Sequence, residues 1–287
     1  MERITIIGLG LIGGSLALAL KRAKSKGVDI VGFSRSSETV ARAREIGAID
    51  ESASSLISAV TGADIVVIAT PVMTTKDVLA SISEHLSPGC VVTDVGSTKV
   101  KVMQWAEKYL PPEVNFIGGH PMAGKETFGI AEADADLFRG CVYCLTPSAN
   151  ATRKAVRRME KLAESVGASP LFIDAELHDS LVAGASHLPM ILSCAFVTAT
   201  MKSKSWPGMS KLAAGGYRDF SRLASGRPEM SRDICLTNRE HIINWIDRYI
   251  KVLKKYRSLM EKDGEELHTM LTQAREAREK WLRGGKQ

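Results

Sequence analysis

The chain has 287 residues, 45% of them hydrophobic and 24% charged, with a formal net charge of +6 at pH 7. That length suits two ordinary domains or one large one, and the mix is that of a globular protein able to bury a core without disulfide or metal staples. No apolar run reaches the ~18 residues of a membrane span, because Gly8, Gly10, Gly13 and Gly14 interrupt residues 4 to 20, and the start lacks the basic and small-residue marks of a signal peptide.

In chain order, Arg3 to Ile7 ("RITII") is a short strand, and "SLALALKRAK" after the glycines has helical spacing. "DIVGFS" is a second strand, and "ETVARAREIG" is a helix ended by Gly47. "ADIVVIAT" is an apolar run of buried parallel-strand type, stopped by Pro71. "TTKDVLASISEHL" is helical, and Pro88-Gly89 turns the chain into "CVVTDVG", another buried strand. "VNFIGG" and "CVYCLTP" are further strands, "TRKAVRRMEKLAESVG" is a helix and "SPLFI" the last strand. Strands alternating with helices over residues 1–173 argue for an α/β domain with a doubly wound, mostly parallel sheet. Five cysteines lack framework spacing, and Cys141-x-x-Cys144 has no second pair to complete a zinc site. Reduced thiols, no metal and a cytoplasmic protein are therefore expected.

Residues 174–287 read as all-helical. "AELHDSLVAGASHLPMILSCAFVTATMK" is a long helix that Pro189 should kink, and "HIINWIDRYIKVLKKYRSLM" is apolar on more than one stripe. A helix of the second kind is expected to be buried on most sides, here against a second subunit, so a homodimer is expected. The last helix runs to the C-terminus, and no added regulatory domain is expected. Basic runs such as "TRKAVRRMEK" and "KKYR" carry interleaved acids at helical spacing or sit on helices. They read as solvated faces; a basic balance suits anionic small ligands, and neither nucleic acid nor membrane is an expected partner.

"IIGLGLIGGSLA" places Gly8-x-Gly10-x-x-Gly13 directly after a strand and at the start of a helix. Gly8 permits the tight turn, Gly10 lets backbone approach a diphosphate, and Gly13 lets helix and strand pack closely. The helix-start N–H groups, including those of Leu11 and Ile12, then bind the diphosphate. This is the fingerprint of a Rossmann-type dinucleotide-binding domain. The second strand ends in Ser34, Arg35 and Ser36, where an NAD enzyme usually carries a carboxylate for the ribose 2′-hydroxyl. Arg35 and the serines can pair with a 2′-phosphate, so NADP is the preferred cofactor, with NAD possible. Thr70 and Pro71, in "ATPV", should border the nicotinamide ribose.

Polar groups also gather where an open α/β sheet binds ligands, beyond the strand C-termini. They lie in "TDVGSTK" (Thr93 to Lys99), "GGHPMAGKETFG", "SHLP" and "GGYRDFSRLA". In the second stretch a strand, Phe116 and Ile117, should run into a rigid turn that carries His120, with Lys125 and Glu126 close behind. Ser97 follows a strand-end glycine, where capping the next helix is its alternative role.

Together with the glycine loop, these stretches closely resemble the prephenate/arogenate dehydrogenase family of tyrosine biosynthesis, over almost the whole chain. G-G-H-P-x-A-G followed by Glu is the most specific part. The resemblance implies an NAD(P)-dependent oxidoreductase that oxidatively decarboxylates prephenate to 4-hydroxyphenylpyruvate, or arogenate to tyrosine. It implies His120 as base or hydrogen-bond catalyst, with a pKa suited to the working pH, and Ser97 on the substrate hydroxyl. It implies Arg222 on a substrate carboxylate, with Asp219 able to orient it, and His187, Gly215 and Glu126 at the substrate pocket, Glu126 at its entrance. Many members carry a second histidine where this chain has Met190, and an aromatic where it has Ser231. Those positions bear on the substrate side chain, keto acid or amino acid, which stays open. A 3-hydroxyacid dehydrogenase would need a catalytic lysine on a second-domain helix and lacks the G-G-H-P turn. A dinucleotide-sensing regulator would need a recognition helix or basic arm, and no separate one is found.

Overall fold

The computed structural model describes residues 2–23, 27–262 and 264–284. It contains one eight-stranded sheet in the order β3-β2-β1-β4-β5-β6-β7-β8. The strands are β1 (Glu2–Ile7), β2 (Val28–Phe33), β3 (Glu51–Ser52), β4 (Ile65–Ile68), β5 (Val91–Asp94), β6 (Asn115–Pro121), β7 (Val142–Pro147) and β8 (Ser169–Phe172). All neighbours are parallel except β6 and β7. β2 and β4 flank β1, so the chain reverses direction across the sheet there, which opens a crevice at the strand C-termini.

Alternate residues along each strand feed two apolar layers, as a pleated strand requires. Ile4, Ile6, Val67, Ile117 and Tyr143 face one core, with α1 (Leu11–Arg22) and α6 (Arg153–Ser165) over it. Ile7, Val66, Ile68, Val92 and Phe116 face the other, with α4 (Val72–Ile82) and α5 (Val100–Tyr109). α2 (Ser37–Glu45) and α3 (Leu56–Val60) are each started by a serine, Ser36 and Ser55, whose side chain accepts from an N–H three residues on. Helix α5, strand β3 and helix α3 escape the sequence reading: the last two are very short, and α5 follows a loop without a clear start signal. The expected end of α1 at Lys24 lies outside the described residues, as does the extreme C-terminus.

His120 is still within β6, paired across to Cys144, so the expected turn begins only after Pro121. The register of β7 holds the imidazole rigidly on a buried strand. Pro121 is tolerated because it is the last residue of that strand.

Beyond the sheet, α7 (Ala175–Val182) passes through a π-helical segment, Ala183–His187, into α8 (Leu188–Met201). Pro189 cannot donate a backbone hydrogen bond, and the widened turn just before it takes up the misfit. Taken as one helix, Ala175–Met201 is long and apolar enough to cross a membrane by length and composition. Short helices α9 (Trp206–Leu212), α10 (Gly215–Ser221) and α11 (Pro228–Thr237) follow, with a 3-10 turn at Arg222–Ser225.

The chain divides into two compact units, Met1–Arg239 and Glu240–Gln287, so the first unit runs past residue 173 and takes in the helices as far as α11. The second consists of most of α12 (Arg239–Met260) together with α13 (Gly264–Gly284). On α12, Ile243, Ile250, Val252, Leu253 and Met260 are exposed in the single chain. All five cysteines are free thiols.

Candidate active site

A cleft of about 1510 Å³ lies within the first unit, between the C-terminal edge of the sheet and the helical segments 185–190 and 222–234. Gly8, Gly10, Leu11 and Ile12 line one end of it. Gly8 has φ +99°, and a Cβ there would sit 2.6 Å from the Ala69 carbonyl oxygen, so the turn admits only glycine. Gly13 lies outside the lining; its Cβ would meet the Gly8 carbonyl oxygen at 2.0 Å, so its role is close packing of α1 on the loop. A Cβ at Gly10, by contrast, would project into open space. Helix α1 has no side-chain cap and no acidic residue in its first turn, which leaves its N-terminal N–H groups and positive dipole end open to an anion. Thr70 and Pro71 border the cleft, and the Thr70 hydroxyl is buried without a hydrogen-bond partner among the described residues. These features fit the diphosphate and ribose of a dinucleotide.

Ser34, Arg35 and Ser36 line the same end. Ser36 is partly committed: its side chain accepts from the Thr39 N–H, and its own N–H donates to Ser34 Oγ at 3.3 Å. Arg35 is exposed at the rim.

At the other end, His120 is 8% exposed and lines the cleft with Ser97. Its Nδ1 lies 2.9 Å from His178 Nε2, and His178 Nδ1 lies 2.7 Å from Asp179 Oδ1. Asp179 also accepts from the N–H groups of Lys99 (2.7 Å) and Val100 (2.9 Å). It thus caps α5, the role that was the alternative for Ser97, and leaves the Ser97 hydroxyl to the cleft. With a single proton on His178, the chain of contacts sets the tautomers. A carboxylate accepts, so His178 Nδ1 donates to it; His178 Nε2 then holds the lone pair, and His120 Nδ1 donates to that. The lone pair of His120 is left on Nε2, the atom a base needs.

Burial is the largest cause that pushes the His120 pKa well below its ordinary value of 6.5, and the buried Lys99 ammonium lowers it further. The imidazole is therefore neutral across the physiological range, rather than titrating within it as expected.

A buried ion pair sets the spacing of this end. Lys99 Nζ donates to Asp94 Oδ2 at 2.5 Å and to the Gly119 carbonyl at 2.6 Å. Asp94 in turn accepts from the N–H groups of Gly119 (3.1 Å) and Gly96 (2.7 Å). One carboxylate therefore holds the residue before His120 and the residue before Ser97. Gly119 is required for this approach, since a Cβ there would lie 2.4 Å from the Asp94 carbonyl oxygen.

From the helical side, His187 is 1% exposed and lines the cleft, with burial as the main cause lowering its pKa to about 4. Arg222 also lines the cleft and pairs with Glu126, from the loop after β6, instead of Asp219. That pair bridges the sheet loop and the helical segment at the mouth. Met190, Ser231 and the buried Asp233 complete this end. Gly215 starts the exposed α10 and lies outside the cleft lining.

Residues 16–171 match the family model "Prephenate dehydrogenase, nucleotide-binding domain", and residues 174–273 match "Prephenate dehydrogenase, dimerization domain". The chain belongs to the prephenate dehydrogenase family. Within that family it is 38% identical to the prephenate dehydrogenase of Bacillus subtilis over 97% of this chain and 76% of that protein. The crystal structure of Aquifex aeolicus prephenate dehydrogenase in complex with hydroxyphenyl propionate and NAD+ superposes with a TM-score of 0.90 at 32% identity, covering 98% of both chains. The Synechocystis arogenate dehydrogenase structure superposes with a TM-score of 0.82 at 32% identity, over 98% of this chain and 100% of that one.

The sequence reading did not single out His178, Asp179, Asp94 or Asn238. The His-Asp dipeptide in "AELHDSLV" is a visible signal, but nothing in the sequence says that this helix docks beside β6.

Proposed function

We propose that this chain catalyses the oxidative decarboxylation of prephenate to 4-hydroxyphenylpyruvate, an NAD(P)-dependent step of tyrosine biosynthesis. The observation that carries the reading is the convergence, on one cleft, of the dinucleotide cradle, the unprotonated Nε2 of His120 and the Arg222 guanidinium.

A bound nicotinamide supplies the hydride acceptor. His120 Nε2 takes the proton of the C4 hydroxyl as that carbon becomes a carbonyl. The developing imidazolium is stabilised through Nδ1 by His178 and, behind it, by the Asp179 carboxylate. Such general-base help is typically worth ~10²–10⁴ in rate, about 3–5 kcal/mol. Ser97 hydrogen-bonds the same hydroxyl and orients it. Arg222 holds the ring carboxylate in its fork, and the bond from that carboxylate to the ring then breaks, releasing carbon dioxide. The electrons of that bond aromatise the ring, and His120 returns its proton to the phenolate oxygen. The Arg222–Glu126 pair at the mouth helps to keep the substrate in register.

NADP is the preferred cofactor, supported by Arg35 and by the absence of a carboxylate among residues 33–37. The active form is a homodimer, supported by the dimerization-domain match and the apolar residues that α12 exposes. Arogenate is the second reading. Met190 and Ser231 line the cleft where many members carry a histidine and an aromatic, and the Synechocystis neighbour is an arogenate dehydrogenase.

Steady-state turnover with prephenate and with arogenate, each with NAD and NADP, tests these assignments. The expected result is the highest kcat/KM with prephenate and NADP. Absence of reduced-cofactor formation with either substrate would overturn the reading, and a strong NAD preference would overturn the cofactor assignment.

A further inference from the structure

Asn238 follows α11 and is 3% exposed, yet it belongs to no apolar layer. Its Nδ2 lies 2.7 Å from the carbonyl oxygen of Asp179 and 3.2 Å from His187 Nδ1. A backbone carbonyl only accepts, so the atom beside it is the amide nitrogen and not the amide oxygen. The amide NH2 has two hydrogens and no lone pair to offer. One hydrogen goes to Asp179, and the other points at His187 Nδ1, which must then be unprotonated. The ring is neutral at working pH, since burial lowers its pKa to about 4. Its single proton is thus on Nε2, a buried atom that makes no hydrogen bond of good geometry among the described residues, on a ring that lines the cleft beside the Ser97 backbone.

Building on the proposed reaction, we propose that Asn238 is a positioning residue that locks His187 in the Nε2–H tautomer, so that the ring presents a donor to an oxygen of the bound substrate. The same residue, Asp179, stands behind both histidines of the cleft. Its carboxylate acts through His178 to leave His120 with a lone pair on Nε2. Its carbonyl anchors Asn238, which leaves His187 with a proton on Nε2. The two imidazoles are held in opposite tautomers, one to take a proton and one to donate a hydrogen bond. A wrong tautomer at His187 would turn a lone pair towards the substrate oxygen and replace attraction with repulsion.

The test is nitrogen NMR of histidine-labelled full-length protein, with the His187 signals assigned by their loss in His187→Gln. In the unsubstituted protein the proton is expected on Nε2. Asn238→Asp replaces the donor by an acceptor and should move the proton to Nδ1 or protonate the ring. It should also lower kcat/KM for prephenate at least tenfold while leaving the NADP dissociation constant within about twofold. A His187 proton found on Nδ1 in the unsubstituted protein overturns the inference, whether or not Asn238→Asp folds. So does an Asn238→Asp protein with an unchanged tautomer. The tautomer is read without turnover, so an inactive enzyme with Nε2–H at His187 would sink the proposed reaction and leave this inference standing.

Discussion

Replacing His178 by leucine isolates the contribution of the relay behind His120. The side chain is fully buried, so a leucine keeps most of the packing while removing the acceptor that His120 Nδ1 has among the described residues. In the resting enzyme the lost contact is a hydrogen bond between the two rings, worth about 0.5–1.5 kcal/mol. In the transition state His120 is acquiring charge, and the contact becomes charge-assisted. The unpaired donor then costs about 1–3 kcal/mol, and the screening carboxylate of Asp179 is no longer connected to it. At ~1.4 kcal/mol per decade, kcat should fall roughly 10–100-fold. KM for prephenate and the dinucleotide dissociation constant should stay within about threefold, since neither ligand is held by His178. The assay is initial-rate formation of reduced cofactor, alongside a thermal melt to show that the variant is folded. His178→Gln should recover part of the loss, because its amide oxygen can accept from Nδ1. A folded His178→Leu enzyme with kcat within twofold of the parent would refute the relay.

Gly13→Ala should disrupt the cofactor loop, since its Cβ would lie 2.0 Å from the Gly8 carbonyl oxygen; calorimetric titration should show dinucleotide binding weakened at least tenfold. Arg35→Ala should lower kcat/KM with NADP about tenfold and leave the value with NAD within twofold, measured by parallel initial rates. Arg222→Ala should raise KM for prephenate at least tenfold with a smaller effect on kcat; an unchanged KM would remove Arg222 from carboxylate binding. For pH, His120 and His187 both have folded pKa values depressed below 6.5, His187 to about 4. The unfolded chain therefore binds more protons than the folded one between those values. Their stabilisation is complete above pH 6.5 and is lost as pH falls below it. For His187 alone the loss on reaching pH 4 is roughly 3 kcal/mol. Urea unfolding at pH 7 and pH 5 should show a fall in stability at the lower pH that is smaller in His187→Gln; equal falls would refute the burial argument.

The sequence by itself determined the sheet domain and its ligand end. Apolar runs such as "ADIVVIAT" and the strand-glycine-helix pattern at Gly8 are local signals, because pleat, helix period and φ restrictions act over a few residues. That His120, Ser97 and Arg222 lie at the ligand end was legible for a related reason: each sits in a short motif whose neighbours also constrain the backbone. The tertiary structure alone decided what those residues touch. His178 and Asp179 come 58 and more positions after His120 and reach it only because α7 docks beside β6. Glu126 meets Arg222 across 96 positions, displacing the local partner Asp219 that helix spacing suggested. The His120 pKa was misjudged for the same reason, since burial and the nearby Lys99 come from packing that no local pattern encodes. Local sequence selects backbone conformation, whereas tautomers, pKa values and ion pairs depend on neighbours distant in the chain, and only the packed fold supplies them.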